Sequence, residues 1–193
     1  AEYNEIVSAL NYPSGGPLTE YLNDLTFSGF IARHYCWSFK TGLDSKLSKF
    51  RLSDNYLRFY LKFIFPRLSK INTGKFSDVS LSSLPGFDSI MGLQFENLVL
   101  ANRQLLYKAL GLKPEEIIAD NPFFQHPTSK QKGCQIDYLI HTKYNTLYAC
   151  EIKFTQKKLA LSVVNATKEK LSYLTIPKGF CLVPVLVHIN GIS

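Results

Sequence analysis

The spacing of apolar positions changes along the chain, and each change marks an element. Ile6, Val7 and Leu10 within Glu2–Tyr12 recur at helical spacing, and Leu18, Leu22 and Leu25 do so within Leu18–Ser28, after the break at Pro13-Ser14-Gly15-Gly16. Pro17 suits a first helical position. Gly29 stops that helix, and Phe30–Tyr35 and Lys49–Leu52 read as strands on either side of the polar segment Lys40–Ser48. Asn55–Phe65 carries a wide apolar helical face of Tyr56, Leu57, Tyr60, Leu61, Ile64 and Phe65, expected to pack in the core. Ile71–Pro85 is polar and Ser-rich, as a linker would be. A longer helix, capped by Asp88 or Ser89 and running to about Leu110, presents Phe95, Leu98, Val99, Asn102, Leu105, Leu106 and Ala109 as its buried face. A strand within Ile117–His126, a helix over Ser162–Leu174 and an apolar strand over Phe180–Ile189 complete the chain, with Pro184 assigning the last strand to an edge or a bulge.

Gln135–Phe154 holds the most informative pattern. QIDYLIHTKYNTLYACEIKF reads as two strands, Gln135–His141 and Leu147–Phe154, joined by the polar residues Lys143–Thr146. Side chains alternate along a strand, so Glu151 and Lys153 share a face with Leu147 and Ala149, and Asp137 shares one with Leu139 and His141. A hairpin centred on Tyr144 sets Asp137 opposite Glu151, with facing Cβ atoms about 5 Å apart. Like charges so placed destabilise a sheet unless a cation offsets them. Two carboxylates suit Mg²⁺, which takes hard oxygen ligands and keeps several waters. Lys153 on the same face is placed to stabilise a phosphate or to orient an attacking water, a pattern that points to phosphodiester hydrolysis.

Composition narrows the partners. The chain has 193 residues, 46% hydrophobic and 19% charged, with 14 Phe and 11 Tyr, enough for one large domain or two small ones. Its net charge of +7 and pI near 9.2 favour an acidic partner such as nucleic acid. No basic amphipathic run points to a membrane surface, and no stretch reaches the about 20 apolar residues of a span. Cys36, Cys134, Cys150 and Cys181 show no ligand spacing with the histidines and are expected as reduced thiols in a cytoplasmic protein. The chain begins with Ala and its one Met is Met91, so it is expected to be a piece of a longer protein.

Asp137, thirteen intervening residues and Glu151-Ile152-Lys153 resemble the PD-(D/E)xK nuclease superfamily, with Ile136 standing where the motif's name has Pro. The predicted order from residue 86 on (helix, three strands, helix, strand) agrees with that superfamily's restriction-endonuclease-like αβββαβ core. Upstream, two short helices, a turn and a two-stranded ribbon read as a winged helix-turn-helix. LTEYLNDLTFSGFI and FRLSDNYLRFYLKFI resemble the winged-helix segment of archaeal-type AAA ATPases, in which a P-loop ATPase precedes that segment and a nuclease-like domain follows it. No GxxxxGK[ST] occurs in this chain. The expected architecture is α/β, α+β overall: a truncated winged module with its following helix over 1–70, a linker over 71–85 and a nuclease-like domain over 86–193.

Under this resemblance Asp137 and Glu151 bind Mg²⁺ or Mn²⁺, with the Ile152 carbonyl as a further ligand and Lys153 positioning the water. GLQFENLV resembles the family's first helix, whose Glu often joins the active site, which nominates Glu96; without the resemblance Glu96 is a surface acid favoured by the helix dipole. Lys157 and Lys158, just past the strand, and Arg51 on the ribbon are candidate nucleic-acid contacts, with DNA the favoured substrate. Leu18–Ser28 carries two acids and no base, which suits packing against an upstream ATPase or another partner better than entry into a major groove. Two functions stand side by side: a metal-dependent nuclease, or a catalytically inactive module binding nucleic acid or protein and regulating the ATPase.

Overall fold

A computed structural model describes residues 1–191 and shows a mixed α+β protein with a two-stranded and a four-stranded sheet. Helix α1 (Tyr3–Leu10) opens on a reciprocal capping box between Glu2 and Glu5 and ends at Asn11 in the left-handed region. Helix α2 (Gly16–Phe27) begins with Pro17 in its first turn. Strands β1 (Ile31–Trp37) and β2 (Asp44–Leu52) form the ribbon. β2 starts well before the expected Lys49, because its polar first half, Asp44–Ser48, hides the strand period. Gly42 closes the ribbon turn at φ +71°, and a Cβ there would meet the Ile118 side chain at 2.3 Å.

Helix α3 (Asn55–Phe59) is capped by the Asp54 side chain and widens into a π-turn over Tyr60–Ile64. Pro66 is the cause, since it lacks an N–H and its ring crowds the carbonyl four residues back. The Arg67 guanidinium takes over, donating to the carbonyls of Lys62 (3.3 Å) and Phe63 (3.2 Å). The expected buried face here is corrected: Tyr56, Leu61 and Phe65 are exposed, whereas Phe63 and Arg58 are buried.

Short helix α4 (Leu68–Asn72) leads into the expected linker, which does not behave as one. Ile71, Phe76, Leu81 and Leu84 line an apolar cavity with Phe59 and Phe63, their intervening serines having masked them in the sequence. Contacts divide the chain into two compact units, one of Ala1–Arg33 with Lys49–Asn97, the other of His34–Ser48 with the chain from Leu98 onward. The division therefore departs from boundaries at 70 and 86. It cuts both the ribbon and helix α5 (Phe87–Ala101). In the first unit Leu18, Leu22 and Phe50 form a core with Tyr3, Ile6, Val7 and Ile31 around it.

The single long helix expected to Leu110 is instead α5 and α6 (Arg103–Ala109). At the break Asn102 leaves helical geometry and its side-chain amide donates to the Leu98 carbonyl at 2.8 Å, competing with the helical ladder. Of the expected apolar face, Leu98 and Leu105 are exposed, at 55% and 65%, and Phe95, Val99 and Leu106 are half-buried, while Tyr107 of α6 is buried.

In the second unit β3 (Ile117–Gln125), β4 (Cys134–Thr142), β5 (Thr146–Lys153) and β6 (Cys181–His188) lie in the spatial order β3-β4-β5-β6. The first two pairings are antiparallel and β5–β6 is parallel, reached through helix α7 (Leu161–Leu171). β6 is an edge strand, as Pro184 requires, since it has no N–H for a second neighbour. One core cluster joins Trp37, Phe123, Leu139, Leu147, Ala149, Leu171 and Leu174. All four cysteines are free thiols. Among the described residues no helix is long and apolar enough to cross a membrane.

Candidate active site on the central hairpin

The hairpin turns on Asn145, whose φ of 53° lies in the left-handed region that Asn tolerates better than most residues. Behind it the register is Tyr138↔Cys150, Leu139↔Ala149, Ile140↔Tyr148 and His141↔Leu147. This is the register centred on Tyr144, and its next step brings Asp137 beside Glu151. There the backbone pairing ends and a side chain replaces it: the Ile152 N–H donates to Asp137 Oδ2 at 2.9 Å. Leu139, Leu147 and Ala149 on the same face are fully buried, so the two carboxylates stand at the open end of a dry, packed surface.

Glu151 is buried and both of its oxygens are occupied. Lys153 Nζ lies 2.7 Å from Oε1, and Lys170 Nζ, from α7, pairs with Oε2. Asp137 is poised differently. Burial raises its pKa first and the charge of Glu151 adds to the rise, while the Ile152 N–H, Lys170 and Lys153 offset part of it. A carboxylate that resists ionisation beside another carboxylate stores an unfavourable charge that a divalent cation would relieve. Cys150, paired with Tyr138 on the other face of the hairpin, is no alternative nucleophile, because burial and the Asp137 charge push its thiol up to about 12.

Asp137, Glu151 and Lys153 therefore come together as the alternation implies. Ile152, the expected carbonyl ligand, is buried with its N–H held by Asp137. Lys157 and Lys158 are exposed in the loop after β5. Glu96 and Arg51 receive a different placement: they pair with each other within the first unit at 2.8 Å, and Arg51 also donates to the Leu93 carbonyl at 3.3 Å. The candidate acid and the candidate nucleic-acid contact are thus partners in one ion pair.

Three features went unread in the sequence. Lys170 carried a signal, since it occupies an apolar-face position between Ala166 and Leu174, where a charge calls for a partner. His188 pairs in register with Lys153 and so projects from the same face of the sheet; its Nδ1 accepts from the Asn190 N–H at 3.1 Å, and its Nε2 is buried without a hydrogen bond. On the opposite face Asp120 Oδ2 accepts from Tyr138, from Tyr107 at 2.7 Å and from Arg103 at 2.9 Å. Burial is the main reason the Tyr107 hydroxyl is pushed up to about 12. Spacing alone gave no sign of that cluster, because its members lie on α6, β3 and β4.

Two carboxylates, backbone carbonyls and water suit a hard cation such as Mg²⁺ or Mn²⁺ better than a borderline-soft one such as Zn²⁺. No group of three or more His, Cys, Asp or Glu side chains suited to holding a metal gathers anywhere among the described residues, so water or substrate oxygens would complete the shell. No protein-family model matches the chain, and neither a curated protein nor a solved structure does.

Proposed function

We propose that the chain is a metal-dependent nuclease of the PD-(D/E)xK type, hydrolysing phosphodiester bonds at the Asp137–Glu151–Lys153 site. The observation carrying this reading is the register that seats Asp137 beside Glu151 on one face, with Lys153 two residues further on. The αβββαβ order and the antiparallel–antiparallel–parallel sheet support a restriction-endonuclease-like fold. Asp137 and Glu151 would hold Mg²⁺ or Mn²⁺, which when bound supplies Lewis acidity toward a phosphate oxygen and an acidified water. Lys153 orients the attacking water and offsets charge developing on the phosphate. Lys157 and Lys158 bind the backbone of the substrate, DNA being favoured. The helices and ribbon of the first part are read as a winged module, and its resemblance to AAA ATPases makes an ATPase the proposed partner.

One observation favours the second reading, a catalytically inactive binding module. Both Glu151 oxygens are already paired with lysines, which is also how a buried structural ion cluster is satisfied. Plasmid cleavage with Mg²⁺ or Mn²⁺ separates the two. Nicking that Glu151→Gln abolishes supports the nuclease, whereas a folded wild-type chain that leaves plasmid intact, alone and with its ATPase, supports the binding module.

A further inference from the structure

We propose that Lys170 and a divalent cation compete for Glu151, so that metal binding hands Lys170 from the carboxylate to the phosphodiester. This rests on the nuclease reading of the same site. Lys170 comes from α7 rather than from the hairpin, and it meets Glu151 at the oxygen that Lys153 leaves open. The acceptor is 7% exposed, whereas the Lys170 side chain is 32% exposed, so the lysine has more access to solvent than the carboxylate it pairs with.

The charges explain why exchange follows. With Asp137 and Glu151 ionised, the two lysines bring the cluster to neutrality. A dication added to it leaves two excess positive charges in a poorly solvated site, and the ammonium nearest the occupied carboxylate oxygen is repelled. A phosphodiester and a hydroxide, each carrying one negative charge, restore the balance. Lysine suits this role: a compact charge on four flexible carbons re-aims without losing its donors. Lys153 is the more exposed of the two lysines, at 43%, but its place two residues from Glu151 on the same strand face keeps it beside that carboxylate, while Lys170 approaches from a second element and can follow the phosphate. Metal and nucleic acid are therefore expected to bind with positive coupling, and Lys170 to be the residue that couples them.

The test compares the wild-type chain with Lys170→Met, Lys170→Arg and Lys168→Met, the last an exposed position on the same helix that controls for net charge. Removing the competing ammonium should tighten Mn²⁺ binding, followed by calorimetry, by about fivefold in Lys170→Met, the size expected for one ion pair. Lys170→Arg should stay close to wild type, and Lys168→Met within about twofold of it. A short DNA duplex, titrated by anisotropy with and without Ca²⁺, should bind more tightly with Ca²⁺ in the wild type and lose most of that gain in Lys170→Met. Equal or weaker Mn²⁺ binding in Lys170→Met would overturn the exchange while leaving the nuclease reading intact. Absence of Mn²⁺ binding in wild type and variants alike would overturn both.

Discussion

The two units differ most in how they handle charge. The first carries 8 Lys and Arg against 8 Asp and Glu, the second 14 against 7, so the whole net charge of +7 belongs to the unit with the central hairpin. Their ionic clusters differ in the same way. In the first unit Glu96 pairs with Arg51, and Arg58 nearby is anchored to the Leu52 carbonyl, with Asn97 donating to Leu52, Ser53 and Asn55 around them. Backbone carbonyls and neighbouring side chains meet most of that network, leaving Arg51 Nε and Arg58 Nε buried without a hydrogen bond. In the second unit two carboxylates sit side by side, and Asp137 is held against its own preference for ionisation. The first unit also sets like charges together, Arg51 beside Arg58, but it has a carboxylate, Glu96, to offset them; in the second the carboxylates face each other, the arrangement a cation would relieve. The contrast teaches that a charged residue in a suggestive motif must be judged by whether its partners already satisfy it.

The largest effect should come from exchanging the two acids. Glu151→Gln is expected to lose about 100-fold or more of any cleavage activity, and Glu96→Gln to remain within about threefold, measured as plasmid nicking rates. Stability should reverse the order of importance: Glu96→Gln removes the carboxylate paired with the half-buried Arg51 and attracting the buried Arg58, and should cost about 2 kcal/mol by urea unfolding. Comparable losses of cleavage in both variants would break the comparison and restore Glu96 to the active site.

Asp137 should show the opposite sign. Its folded pKa is raised, so its favourable contribution is complete below the unfolded value of 3.8 and disappears as pH rises through the folded one. Metal-free Asp137→Asn keeps an acceptor for the Ile152 N–H and should be more stable than wild type at pH 7 by about 1 kcal/mol, the size of common stabilising substitutions. The difference should vanish toward pH 4. A variant less stable than wild type at pH 7 would mean that the lysines outweigh the strain.

The smallest effect belongs to His141. It accepts the Trp37 indole N–H at 3.3 Å and packs beside Phe39 and Phe180, and burial lowers its pKa. The unfolded chain therefore takes up the proton first. The contribution of His141 is present above the ordinary value of 6.5 and declines as pH falls from there toward the depressed folded value. His141→Gln should flatten that decline in urea unfolding between pH 7.5 and 5, and an unchanged slope would assign it to other groups.

By itself the sequence determined the central hairpin, its register and the grouping of three candidate site side chains. Those depend on a period of two and on one turn residue, both local, and alternation then fixes which side chains share a face. It also restricted β6 to an edge or a bulge, because a missing N–H is a property of Pro184 alone, and the structure makes it an edge. Tertiary structure decided what local patterns cannot carry. It broke the long helix at Asn102, turned Leu98 and Leu105 outward and drew the Ser-rich segment after Ile71 into the first unit. It gave Glu96 an arginine for a partner and brought Lys170 across from another element to Glu151. Pairings between charges distant in sequence depend on how helices are set against sheets, and that is settled by the burial of many apolar side chains at once.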